Sequence, residues 1–286
     1  MSPKSKQFLQ TLFARKIMYV AVVIILFFLL CAVASPLIAT HDPYEQNLSE
    51  RLQGISANHW LGTDQFGRDL FSRIVYGAQV AYLVGILAVI IAAVLGCMIG
   101  LIAGYFGGWI DSVLMRMIEA QMAIPALILS LALVAVLGRS VPMLILLLGV
   151  SSVPGFARMM RGQVITIREM DYVAASKIRG NSAAKTMLVH ILPNCISPII
   201  VVMTQSIGGS ILAEAGLSFL GAGIVPPTAS WGSMVNAGYS YLNQSPLYAI
   251  APGVAVILLV LSFNVLGDGL RDALDPRIRN AKRGKS

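Results

Sequence analysis

The sequence predicts an all-α, polytopic membrane protein with six transmembrane helices. Three observations carry this. Of the 286 residues, 57% are hydrophobic and only 12% are charged, about half the charge of an ordinary soluble domain. Six apolar runs approach or exceed the roughly 20 helical residues needed to cross a hydrocarbon core. The Lys and Arg residues gather beside those runs, where topology signals sit.

The first run, Ile17–Ala39, has no charge inside it. Ala32-Val33-Ala34 imitates a signal-peptide cleavage site, but the apolar stretch continues past it and exceeds an h-region of about 7–15 residues. It is therefore read as an uncleaved anchor. The second run is about Val80–Phe106. The third, about Ser112–Leu137, contains Arg116 and Glu119 near its start and Pro125 within it. The fourth, Val141–Ala157, is shorter and is expected to break at Pro154-Gly155. The fifth is about Ile196–Leu220 and the sixth about Leu247–Gly267.

Positive charge sets the orientation. Six crossings put the N-terminal tail, the turn between spans two and three, residues 158–194 and the C-terminal tail on one side. That side holds 17 of the 21 Lys and Arg residues. The other side holds Arg51, Arg68, Arg73 and Arg139. The positive-inside rule then places both termini in the cytosol, and Thr40–Gln79 and Gly221–Pro246 outside. Three segments follow: residues 1–75 (tail, first span, outward segment), 76–270 (transmembrane domain) and 271–286 (basic cytosolic tail).

Several classes of function fall away. A net charge of +8 invites nucleic acid, but its placement beside spans speaks for lipid instead. Cys31, Cys97 and Cys195 have no ligand spacing, and His41 and His59 are read as two isolated structural histidines, so no metal site is expected. No Ser/His, paired-Asp or metal-ligand set lies within a span, which argues against an intramembrane enzyme. An ion-coupled secondary transporter needs intramembrane ionisable groups. Glu214 alone is a fair candidate, and no internal repeat is visible.

The polar island Arg158–Asn194 is the feature that asks for a function. It carries six Lys/Arg against two acids between apolar spans. Asp171 can cap a short helix running through Tyr172, Ala174, Ala175 and Ser176 to Ile178. Gly180 supplies a turn, and a second helix, Ala183–Leu192, is expected to stop at Pro193. Such a hairpin either rests on anionic lipid or docks a cytosolic partner. The stretch Gly180–Thr186 imitates a phosphate loop but is one residue short and lacks the glycine before Lys185. ATP hydrolysis must then belong to another chain.

The stretch Asp171–Asn194, with its small residues, Gly180 and His190-Ile191-Leu192-Pro193-Asn194, resembles the "EAA" loop of ABC-transporter permeases. Trp60-Leu61-Gly62-Thr63-Asp64 with Gly67-Arg68-Asp69 is similar to the outward segment of dipeptide/oligopeptide/nickel permeases. So are Leu217–Gly221, Pro226-Pro227-Thr228 and Trp231-Gly232, and Phe263-Asn264 with Gly267–Asp272 and Asp275-Pro276. Together they resemble the "C"-type subunit from about Thr40 to Arg277. The resemblance implies a type I ABC importer (MetI-like) permease fold in a bacterial cytoplasmic membrane. It also implies a second permease subunit, one or two ATPase subunits using ATP and Mg, and an external binding protein. No cofactor is expected on this chain. The implied cargo is di- or oligopeptide, with nickel, metal chelates or glutathione-like compounds as alternatives. The chain departs from the pattern where Ala174 replaces the usual glutamate and Ser176 the second alanine. Docking is then expected to rest on shape and apolar contact.

Four further groups are weighed. Glu214 is either a pathway contact or a paired structural carboxylate. Arg116 and Glu119, spaced i,i+3, suit a local ion pair better than a cytosolic gate. Asp64, Arg68, Asp69 and Arg73 alternate in sign and read as an amphipathic outer helix. Gly221–Pro246, uncharged and aromatic, reads as an interfacial cap.

Overall fold

The computed structural model describes residues 3–274, so most of the expected basic tail lies outside the described residues. A short helix α1 (Pro3–Leu12) precedes α2 (Lys16–Val33) and a single turn α3 (Ser35–Ile38). A looped outer segment leads to α4 (Leu70–Phe106), which is followed by α5 (Gly108–Met122) and α6 (Ala126–Leu137). Next come α7 (Val141–Ile167), α8 (Asp171–Ile178) and α9 (Ala183–Lys185). A π turn at Thr186–Ile191 runs into α10 (Leu192–Phe219), and α11 (Trp231–Tyr239) and α12 (Leu247–Leu274) complete the described chain. Five helices are long and apolar enough to cross a membrane, or six if α5 and α6 form one span.

The centre of the bundle is α4 against α7, which run parallel. Ala88, Ala92, Gly96, Gly100 and Gly104 recur every four residues along one face of α4. This small-residue stripe lets two backbones meet. A Cβ added at Gly100 would lie 2.3 Å from the carbonyl oxygen of Ala157, and one at Gly96 would lie 2.6 Å from Cβ of Phe156. The rest of the core is bulkier. Phe28, Tyr82, Trp231, Leu259 and Phe263 bring α2, α4, α11 and α12 together. The Trp231 indole donates to the carbonyl of Ile74 at 2.9 Å, and the Tyr82 hydroxyl to that of Ile25 at 2.6 Å.

Three expectations are corrected here. Pro154 does not break span four, since α7 runs through it to Ile167 and absorbs the first third of the polar island. Pro193 does not stop a helix. Ala183–Phe219 forms one 37-residue rod, and Pro193 sits in its path just after the π turn. A proline lacks the N–H that the ladder needs, and here the ladder changes register in the turn before it. Third, the run that holds Pro125 is not one continuous span. The axes of α5 and α6 differ by 84°. With 12 residues, α6 is about 18 Å long, too short to cross alone.

The chain path puts the end of α4, the start of α5, α8 and the end of α12 at one end of the bundle. There, Arg161 makes a bidentate pair with Asp111 at 2.5 Å, Arg168 donates to the carbonyl of Gly104 at 2.8 Å, and Arg15 meets Asp272 at 3.1 Å. The outer loop 40–69 and α11 lie at the other end.

Candidate functional site

The polar island folds as a helical elbow. The expected helix–glycine–helix pattern is present, with α8 ending at Ile178 and Gly180 at φ +73°. Asp171 is not the cap. Met170 occupies that position, its carbonyl accepting from the amides of Val173 (2.9 Å) and Ala174 (3.1 Å), and Asp171 lies in the first turn. An acid there still favours the helix N-terminus.

The elbow has two faces. Inward, Val173, Ser176, Thr186 and Ile191 are buried. Val173 and Ile191 join Leu101 of α4, Met160 and Val164 of α7 and Cys195 of α10 in one apolar cluster. Ser176 Oγ is 3.2 Å from Thr186 Oγ1 and accepts from Asn181 Nδ2 at 3.0 Å, which closes the bend. Ser176, where the resemblance leads one to expect alanine, is therefore a hydrogen-bonded hinge residue. Outward, Asp171, Ala174 and Ile178 follow at three- and four-residue spacing along one exposed ridge. Ile178 is 87% exposed, and Tyr172 and Met170 are also exposed. Ala175 and His190 are half-buried, while Pro193 is exposed. The elbow thus offers an apolar ridge outward and roots its other side in the bundle.

A second feature lies within the bundle. A cavity of about 500 Å³ opens between α6, α7 and α10. Its wall includes Ser130, Ser151, Ser152, Ser206, Gly209 and Ser210, and no charged residue belongs to the lining. The Ser151 hydroxyl is buried and has no hydrogen-bond partner among the described residues. The residues singled out as pathway candidates stand elsewhere. Glu214 is buried, accepts from Ser218 Oγ at 2.7 Å and Ser230 Oγ at 2.9 Å, and so ties α10 to the cap of α11. Arg116 and Glu119 are exposed on α5 and pair with each other at 3.3 Å. The cavity serines were missed in the sequence because hydroxyls scattered through apolar runs give no spacing signal until the helices are placed.

The outer segment differs most from expectation. Positive φ at Gly62 and Gly67 turns the chain back on itself. The amide of Leu52 donates to Asp64 O, and that of Asn47 to Phe66 O. Asp64, Arg68, Asp69 and Arg73 are all buried rather than solvated. Asp64 Oδ2 takes Arg68 Nε at 2.6 Å and stands 3.7 Å from Arg73 Nε, while Arg73 Nη1 reaches the carbonyl of Pro43 at 2.9 Å. The helix starts only at Leu70, capped by Asp69. His41 and His59 are not apart either, since their ring centroids lie 4.8 Å from each other.

Residues 96–280 match the family described as "Binding-protein-dependent transport system inner membrane component". The chain belongs to that family. Residues 4–54 of this permease also match the "N-terminal TM domain of oligopeptide transport permease C". The permease is 42% identical to a dipeptide transport system permease protein of Alkalihalophilus pseudofirmus, over 93% of this chain and 87% of the relative. It is 45% identical to a glutathione transport system permease protein of Shigella flexneri, over 79% and 75%. A probable D,D-dipeptide transport system permease of Escherichia coli is 41% identical over 89% and 86%. The crystal structure of an amino acid ABC transporter shares the fold, with a TM-score of 0.53 at 19% identity, over 69% of this chain and 92% of that one. The protein is thus a multi-pass inner-membrane subunit of an ABC importer.

Proposed function

We propose that this permease forms half of the pathway for uptake of di- and oligopeptides, driven by ATPases that dock on its elbow. The observation that carries the coupling is the exposed Asp171–Ala174–Ile178 ridge, whose reverse side is rooted in α4, α7 and α10. A partner that grips the ridge moves the bundle as a rigid body. Both ATP and Mg belong to that partner, and no cofactor or metal is required for coupling on this chain. The second half of the pathway is a different permease subunit facing α6 and α10, and an external binding protein delivers cargo to the end that carries α11. Placing the elbow and both termini in the cytosol rests on the excess of Lys and Arg there.

The charge-free cavity, a largely apolar wall with serine hydroxyls set among Leu127, Leu148, Leu212 and Leu217, supports peptide cargo. A zwitterionic peptide finds hydrogen-bond partners along such a wall, but no fixed charge that would hold it. Relatives named for dipeptides and for glutathione are both carriers of short peptides by name, which favours backbone-directed recognition. Reconstitution with the second permease and the ATPases in vesicles tests the reading. Peptide accumulation should require ATP and the binding protein. Accumulation driven by an ion gradient, with the ATPases disabled, would overturn it.

A further inference from the structure

The outer loop gathers three metal-binding side chains that coupling and transport leave unused. His41 follows α3, His59 lies mid-loop, and Asp69 begins α4. One ligand atom from each lies within 4.8 Å of those from the other two. Nδ1 of His59 is 2.9 Å and Nδ1 of His41 is 4.0 Å from the same oxygen, Oδ1 of Asp69. Metal–ligand bonds of about 2.0–2.2 Å set tetrahedral donor atoms about 3.3–3.5 Å apart, and the two separations bracket that value.

We propose that His41, His59 and Asp69 form a site for one divalent transition-metal ion of the zinc type on this outer face. Four features support the assignment. First, Asp69 is a buried carboxylate whose only ionisable partners among the described residues are these two histidines. Arg68 and Arg73 are directed to Asp64 instead. A buried carboxylate needs a compensating cation. The two rings lie side by side, with centroids 4.8 Å apart, so that one divalent ion answers both rings and the acid.

Second, the surrounding shell is organised. Asp69 Oδ2 accepts from the Ser72 amide at 2.8 Å and the Ser72 hydroxyl at 2.7 Å, which leaves Oδ1 toward the rings. Nε2 of His59 faces the Glu50 carboxylate at 3.6 Å, the arrangement by which an outer carboxylate orients a ligating imidazole. Thr40 Oγ1 lies 3.0 Å from Nδ1 of His41, a contact that an incoming ion would replace. Third, an entry path exists. His41 lines an open outer pocket with Thr40, Asp42, Tyr44 and Tyr76. Fourth, two imidazoles and one carboxylate favour zinc, copper or nickel over magnesium or calcium, and leave a position for water or an incoming donor. The ion would pin three points of the loop, at residues 41, 59 and 69, to the start of α4.

The test uses the full chain assembled with its partner subunits, stripped with chelator and titrated with Co²⁺ and then Zn²⁺. The expected result is a four- or five-coordinate Co²⁺ absorption band at about one ion per chain, displaced by Zn²⁺. His41→Gln replaces a ring that is 38% exposed, so the fold survives. It should weaken binding by more than about 10-fold, the least that even an outer-shell partner is usually worth. His59→Gln should do the same. Zn²⁺ should also slow amide exchange over residues 47–62 in the wild type and not in His41→Gln. A wild-type protein without the band, or a band unchanged in His41→Gln, overturns the proposal.

Discussion

The two ends of this permease treat charge in opposite ways. In the outer loop, Asp64, Arg68, Asp69 and Arg73 are buried and paired inside the chain. At the elbow, Asp171, Lys177 and Arg179 stay exposed beside an exposed Ile178. The outer loop turns its charges inward, onto one another and onto His59. The elbow completes only its inner face. A surface that leaves an apolar ridge among charges is one whose remaining partner lies in another molecule.

This contrast can be broken at four points. The largest effect is expected from Asp64→Ala, which strands Arg68 and Arg73 in the outer loop. Removing one member of a buried pair costs about 3–5 kcal/mol. Thermal unfolding in detergent should show a large downward shift, and an unchanged midpoint would mean the loop is not closed by that carboxylate. Next is Gly180→Val. With φ at +73° and no atom within 4 Å of a built Cβ, the penalty is backbone strain rather than a clash, about 1–2 kcal/mol. The variant should insert normally yet separate ATP hydrolysis from transport. Gly180→Asn, which tolerates this conformation better, should retain coupling.

Ile178→Ser tests the elbow's outer face. Stability should move by no more than about 0.5 kcal/mol, as at other exposed sites, while the ATPase should fail to copurify. Full copurification would remove the ridge from the interface. The smallest effect is expected from Ala174→Glu, which installs the carboxylate that resembling loops carry. If docking rests on shape, ATPase affinity should change by less than about fivefold, the upper range for an exposed ion pair. A larger gain, read by binding of the isolated ATPase, would show that charge sets the docking strength.

Most of the helical frame was legible in the sequence because apolar runs and proline-glycine punctuation are local signals. The elbow was legible for the same reason, through Gly180 and the small residues around Ala175. Three things were not. The alternating signs of Asp64–Arg73 suggested a solvated helix, yet two glycine turns bury all four, and only long-range pairing reveals that. His41 and His59 are separated in the chain by a loop that closes on itself, so sequence distance misled. The continuity of α10 through Pro193 depends on the π turn, for which no composition rule exists.

That continuity has a mechanical meaning. From Ala183 beside the elbow to Phe219 beyond the serine-lined cavity, one rod of 37 residues runs without a loop, about 55 Å long. It acts as a lever arm. Tilting such a rod by about 10° about its midpoint swings each tip by about 5 Å in opposite directions. A displacement imposed where an ATPase would grip would therefore reappear, reversed, at the far rim of the cavity, with the π turn and Pro198 as flexures in the driven half.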